Sequence, residues 1–301
     1  MNVLALPTSL DHRSMDRVLD ETVALESDRV LFDARHVRWA DPNGMVALLC
    51  AGRAVLARTG RPAHFQLPEN SDTAGYMARM GFFRAAEELF EFDKRPPRRA
   101  SGDTPVLLEI MSITTNTDVH EVVERVQGSA GTILSRTLHY PATAVVPFSV
   151  ILSEVCQNIL EHAEAPGWVA AQVYNWKKRL GRHVLVLSVA DMGRGFRASL
   201  TPEHSARFGD RWSDATALEA AFIHGVTRFP DSHRGQGIQQ IRKQVRRWDG
   251  ALSIRSGSAR IADVPDWDEQ PPLVQNLGGF PGSQISILLP AKQEEGGAAD
   301  A

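Results

Sequence analysis

The sequence predicts an α/β protein of two domains, and three observations carry that prediction. Up to residue 92, short runs of β-forming residues alternate with helical apolar patterns. A proline-rich basic stretch at 93–103, with almost nothing apolar, then interrupts the pattern. Beyond it, polar residues and glycines recur at the ends of predicted helices and strands. A length of 301 residues suits two domains of ~150 each.

The elements follow in order. Val3–Leu6 is a short strand candidate, and His12–Leu25 places Met15, Val18, Leu19 and Val23 at helical spacing. Arg29–Ala34 reads as a buried strand. Asn43–Thr59 reads as an amphipathic helix opened by the turn-prone Asp41-Pro42-Asn43-Gly44. Ala63–Leu67 is another strand, and Asp72–Phe90 a helical stretch interrupted at Gly81. Two prolines, a glycine and four basic residues make 93–103 a solvated linker. Past it, Phe148–Ala163 has the apolar stripe of a core-facing helix. His183–Ala190 is a strand, Gln239–Trp248 a helix, and Gln284–Pro290 a final strand; 293–301 is expected to be a disordered tail.

Composition narrows the function. The chain is 43% hydrophobic and 23% charged, values of a globular protein. Its net charge is -3, and residues 1–103 hold 14 basic against 15 acidic side chains. No concentrated basic surface exists to hold a nucleic acid. Unbroken apolar runs such as Met45–Ala51 fall short of the ~18 residues of a spanning helix, and no secretory leader is visible. Cys50 and Cys156, the two cysteines, lie in apolar helical patterns. They read as buried reduced thiols, so a cytoplasmic location without membrane attachment is expected.

Three motifs carry chemistry. Glu154, Asn158 and His162 are spaced four apart, along one edge of a helix. Such a trio is either a solvated face or a set able to activate a nucleophile and hold a hydrated magnesium ion. The strand at His183–Ala190 ends in Asp191-Met192-Gly193-Arg194-Gly195-Phe196. This is either an ordinary turn or a loop whose glycines adopt positive φ beside a ligand, with Asp191 accepting from an exocyclic amine. Gly235-Gln236-Gly237 stands just before a helix. It is either a flexible loop or a set of backbone N–H groups facing a phosphate. No Walker P-loop and no complete dinucleotide fingerprint is present.

In order and spacing these motifs resemble the GHKL family of histidine kinases, anti-sigma serine kinases and gyrase-like ATPases. The resemblance implies a Bergerat-type α/β sandwich over 104–292, binding ATP and magnesium. Asp191 would then hydrogen-bond the adenine amino group, with Gly193 and Gly195 shaping the pocket. Asn158 would hold magnesium, Glu154 would be the general base or water-orienting carboxylate, and His162 a phosphate-side neighbour. Gly235 and Gly237 would cradle the β- and γ-phosphates, Arg234 would be a charge partner, and 197–233 would form a lid.

Residues 1–92 resemble a STAS domain, a small α/β fold found in anti-sigma-factor antagonists. The resemblance rests on Val30-Leu31-Phe32-Asp33, on Asp41–Leu49 and on Met80-Gly81-Phe82-Phe83. Antagonists of this kind carry a phosphorylatable serine where this chain has Pro42 and Asn43, so a docking or regulatory module without the phospho-switch is implied.

Histidine kinases need a phospho-accepting histidine in a dimerisation helix, and neither His120 nor His139 has that setting. Gyrase-like ATPases need a transducer domain after the sandwich, for which the chain is expected to be too short. An anti-sigma-like serine/threonine kinase acting on a protein partner is the leading expectation, its partner a separate STAS antagonist or a sigma factor. A nucleotide-gated interaction switch and a slow ATP hydrolase share the same pocket, and a homodimer is compatible with all three.

Overall fold

The computed structural model describes residues 1–98, 106–163, 165–227 and 237–293, with only the backbone at 129–130 and 162–163. The first region runs β1 (Asn2–Ala5), β2 (Ser9–Leu10), α1 (Met15–Ala24), β3 (Val30–Asp33), β4 (Trp39–Ala40), α2 (Pro42–Thr59), β5 (Ala63–Gln66), α3 (Ser71–Arg79), α4 (Phe82–Ala85) and β6 (Phe90–Phe92). Four of these strands pair in parallel in the order β1-β3-β5-β6. Helix α2 begins where its sequence demands. Asp41 caps it by accepting from the Gly44 N–H, Pro42 occupies the first turn, and Gly60 at φ 69° closes it. The helical stretch expected over Asp72–Phe90 does break at Gly81, but it ends at Ala85 rather than running to Phe90. Gly81, at φ 80°, separates α3 from α4, and the chain then enters β6, where Phe90 packs among Phe32, Phe65 and Phe82.

The second region runs β7 (Leu108–Ile113), α5 (Asn116–Thr132), α6 (Val145–Asn158), β8 (Gly167–Trp176), α7 (Lys177–Leu180), β9 (Arg182–Asp191), α8 (Gly195–Phe208), α9 (Asp214–Phe222), α10 (Gly237–Arg247), β10 (Ala251–Gly257), β11 (Ala259–Asp263), β12 (Leu273–Val274) and β13 (Phe280–Pro290). Its strands form one seven-stranded antiparallel sheet, β12-β11-β10-β13-β9-β8-β7. The protein is therefore mixed α/β, with one parallel and one antiparallel main sheet.

The large sheet is covered on both faces. Leu185, Leu187 and Val189 of β9 point to a core completed by Phe148, Ile151, Leu152 and Val155 of α6 and by Ile241 and Val245 of α10. On the opposite face, Ala170, Ala190, Trp168 and Phe280 join the core of the first region, including Met45, Leu49 and Cys50 of α2. Burial on both faces explains why His183–Ala190 reads as a continuous apolar run rather than an alternating one.

The two regions are thus more than neighbours on a linker. Arg255 of β10 pairs with Asp16 (2.7 Å) and Asp20 (2.6 Å) of α1, and Arg260 of β11 pairs with Asp16 (2.7 Å). The hydroxyls of Tyr76 and Tyr174 meet at 2.5 Å, and the Ile110 N–H donates to the Met80 carbonyl. Within the expected linker, Asp93 is tied to the first region by accepting from the Leu67 N–H; residues 99–105 lie outside the described residues. So does nearly all of the expected tail, from residue 294.

The stretch Ala142–Glu161 is long and apolar enough to cross a membrane by length and composition. Its Phe148, Ile151, Leu152 and Val155 are buried against the sheet, as in a core helix of a globular domain.

The segment 197–233, expected as a lid, is helical over most of its described part. Leu200 of α8 packs with Trp212, Ala217 and Ala221 in a small core of their own. Ala215, Leu218 and Phe222 of α9 reach the main core, and Asp214 accepts from the N–H and hydroxyl of Ser258 at 2.8 Å each. These contacts build α8 and α9 into the wall of the domain; residues 228–236 lie outside the described residues.

Candidate functional site

The described parts of the three motifs, Glu154 and Asn158, Asp191 with its loop, and Gly237, meet at one end of the large sheet. Helix α6 carries Glu154 and Asn158 on one edge, one turn apart and both partly exposed, while its apolar stripe faces the core. After Asn158 the chain widens into a π-helical turn, Ile159–Ala163. Such turns change the helical phase after Asn158. The side chain of His162 lies outside the described residues.

Two contacts fix the convergence. Gly167 pairs with Asp191 across β8 and β9, and a Cβ at Gly167 would stand 2.7 Å from the Ile159 side chain. Ile159 is next to Asn158, so the end of α6 lies over the end of β9. Gly237, the first residue of α10, packs directly on Glu154, and a Cβ there would collide with Glu154 Oε2. Residues 154, 158, 191 and 237 are thereby gathered around one corner. Arg234 and Gly235 lie outside the described residues.

Asp191 ends β9 and is 5% exposed. Its Oδ2 accepts from Ser283 Oγ at 2.5 Å, and its Oδ1 from the Gly193 N–H at 2.8 Å. Burial pushes its pKa up, against the lowering effect of these two donors. Each carboxylate oxygen has a second lone pair to offer a ligand. Gly282, at φ 79°, brings its backbone against the Asp191 carbonyl where a Cβ would not fit.

The loop after Asp191 departs from expectation at one glycine. Gly195 adopts φ 70°, whereas Gly193 is not among the positive-φ residues. A Cβ at 195 would stand 2.6 Å from Ser256 Oγ, which accepts from the Phe196 N–H and donates to the Gly282 carbonyl. Gly195 is required for close approach of two backbones, and Gly193 contributes its N–H to Asp191.

The electrostatics of the corner are acidic and partly desolvated. Burial, then the charge of Glu161, pushes the Glu154 pKa up, nearer to where a carboxylate base works well. Asn158 Nδ2 is buried without a hydrogen-bond partner among the described residues. An amide turned by 180° would present its oxygen there, and the two orientations are alike in shape. One amide oxygen is a suitable single protein ligand for magnesium, which takes its other ligands from phosphates and water. No cluster of three or more acidic, histidine or cysteine side chains able to hold a metal occurs among the described residues.

Sequence reasoning missed Ser283 and Ser256, the hydroxyls that hold Asp191 and its loop. Phe280-Pro281-Gly282-Ser283 stands out ahead of the last strand, but only the pairing of β13 beside β9 reveals Ser283 as a partner of Asp191. Arg242 is a second omission. Its guanidinium grips Asp263 of β11 through two bonds of 2.9 Å and donates to the Phe222 carbonyl, tying the middle of α10 to β11 and to the end of α9. No protein-family model matches the chain, and no curated protein matches it significantly.

Proposed function

We propose that the chain is an ATP-binding signalling regulator similar to anti-sigma serine kinases, acting in the cytoplasm. The observation that carries the reading is the corner itself. Motifs separated by most of the second region come together through Gly237 on Glu154 and Ile159 over the Gly167–Asp191 pair. In this reading Asp191 accepts from the adenine amino group, with Ser283 and the Gly193 N–H holding its carboxylate in place. The N-terminal N–H groups of α10 face the phosphates, a ready site for anions.

Asn158 would hold magnesium, which supplies neutralisation of phosphate charge when bound. Glu154 would take the proton from an incoming hydroxyl, of a serine or threonine for a kinase or of water for a hydrolase. A nucleotide-gated switch is favoured by a separate observation. Strands β9 and β13, which carry Asp191 and Ser283, also carry Ala190 and Phe280 into the core shared with α2. Occupancy of one face can therefore bear on packing at the other.

Titration with a fluorescent ATP analogue, with and without magnesium, tests the reading. Saturable binding is expected, weakened about tenfold or more by Asp191→Asn, which presents the adenine amine with a second donor. Asn158→Ala is expected to erase the magnesium dependence. Unchanged affinity in Asp191→Asn would overturn the adenine assignment. Labelled ATP with STAS antagonists and sigma factors then separates phosphoryl transfer from gating.

A further inference from the structure

A groove of about 530 Å3 opens between the two regions, far along β8 from the Asp191 corner. One side is formed by Asp11 and Trp39 of the first region, the other by the turn joining β8 to β9, with Trp176, Lys177, Lys178 and Arg179. The turn side is held in place. The Arg179 guanidinium lies 4.4 Å from the Trp176 ring, and the His12 imidazole stacks with that ring at 6.2 Å. Arg179 also reaches Asp268 at 3.7 Å.

Two features of this groove lack an occupant. Trp39 leans on Tyr174, with ring centroids 4.8 Å apart, yet is 40% exposed. Lys177 and Lys178 are exposed, and their ammonium groups have no hydrogen bond or ion pair among the described residues. Three consecutive cations therefore sit beside an open indole. Asp11 brings one carboxylate to the groove, accepting from Ser9 Oγ at 2.9 Å and the Arg13 N–H at 3.0 Å, and a single negative charge leaves the three cations in excess.

We propose that this groove docks an acidic segment of a protein partner bearing an aromatic side chain, the aromatic group on Trp39 and the carboxylates on Lys177 and Lys178. Exposed tryptophan beside arginine is the composition of interface anchors, and unpaired cations give complementarity to an acidic chain. A nucleic acid is the poorer match. Its phosphates need a basic track, and the cations here are confined to one short turn of a chain with net charge -3. The proposal gives a place and a chemistry to the partner of the regulator reading. It is tested without nucleotide, so failure of docking and failure of ATP binding are separate results.

Fluorescence anisotropy with a labelled glutamate–tyrosine copolymer, with polyglutamate and with oligo-dT provides the test. The copolymer is expected to bind more tightly than polyglutamate, and oligo-dT weakest. The Lys177→Glu, Lys178→Glu double variant should bind the copolymer about tenfold more weakly. Trp39→Ala should reduce its affinity to that of polyglutamate. Both lysines are surface residues, so the double variant tests the idea even if Trp39→Ala misfolds. Equal binding by wild type and the double variant, no binding of any probe, or a preference for oligo-dT would each overturn the proposal.

Discussion

Replacing Arg255 by Met tests whether the two regions unfold as one body. Arg255 is 4% exposed on its side chain and donates to Asp16 Oδ1, Asp20 Oδ1 and the carbonyls of Asp16 and Gly278, at 2.6–3.2 Å. Methionine fills similar space without the charge. Stranding the partners of a buried ion pair costs about 3–5 kcal/mol. Here the cost is smaller, because the Asp16 and Asp20 side chains are 23% and 32% exposed. Asp16 also keeps Arg260, and Asp20 keeps the Gly278 N–H at 2.9 Å. The Arg255 Nε lacks a partner among the described residues, so removing it relieves a small penalty. The net loss is about 2 kcal/mol, which lowers Tm by about 3 °C in a chain of this length that unfolds cooperatively. Differential scanning calorimetry should show one endotherm in both proteins, displaced as a whole in the variant. Two endotherms, or one that does not move, would refute the reasoning. A cycle with Asp20→Asn should give a coupling of about 1 kcal/mol between the two positions.

Two further outcomes follow from buried titratable groups. Burial raises the pKa of Asp268, but His12 (3.7 Å) and Arg13 (3.1 Å) outweigh it and hold the carboxyl below its ordinary value. A lowered folded-state pKa gives stability that is fully present above the unfolded pKa of ~3.9 and is lost as pH falls through the folded one. Urea melts of Asp268→Asn should therefore show a deficit of about 2 kcal/mol at pH 7 that narrows below pH ~4; a deficit that persists in acid would contradict this. Both thiols are buried, with Cys156 pushed up to about 12 by burial and Cys50 raised further by burial and by Asp191. Neither should react with a thiol reagent at pH 8 until the chain unfolds, and rapid labelling of either in the native state would show the packing to be wrong.

Periodicity and caps are local, and what is local was legible. The strands at 30–33 and 183–190 and the helices beginning at Pro42 and near Phe148 follow from apolar spacing and from the Asp41 turn. Strand β6 was hidden because Phe90 continues the helical apolar spacing of Phe82, Phe83, Ala86 and Leu89, and only pairing with β5 shows where the strand begins. Helices α8 and α9 were hidden by a polar average, although Leu200, Trp212, Ala217 and Ala221 find one another in space. At the candidate site, Glu154, Asn158, Asp191 and Gly237 were visible through their order. Ser283 was not, because its role exists only through the register that sets it opposite Asp191. Arg255 and Arg260 were the least legible residues. Charged side chains on strands usually mark a solvated face, and these two are buried against α1 of the first region.

The Asp41–Gly44 turn joins these observations. The sequence places no hydroxyl at 42 or 43, and the structure gives an independent reason why a phosphate has no place there. All four residues are buried, Asp41 and Asn43 completely. Burial pushes the Asp41 carboxyl up to about 7, Gly44 packs against the Leu10 carbonyl with no room for a Cβ, and Gln284 of β13 donates to the Asn43 carbonyl at 3.3 Å. A dianionic phosphate in this turn would force α2 off the large sheet, since an unpaired charge that deep costs far more than the local packing returns. The same contact ties the turn to the Asp191 corner. Gln284 follows Ser283, whose hydroxyl holds Asp191, and Cys50 of α2 borders with Asp191 a void of about 10 Å3, scarcely the room of one water. Lifting α2 would remove the backing of the strands that carry both Asp191 and Ser283. The first region therefore supports the sheet that carries the corner from behind, with this turn buried in the contact.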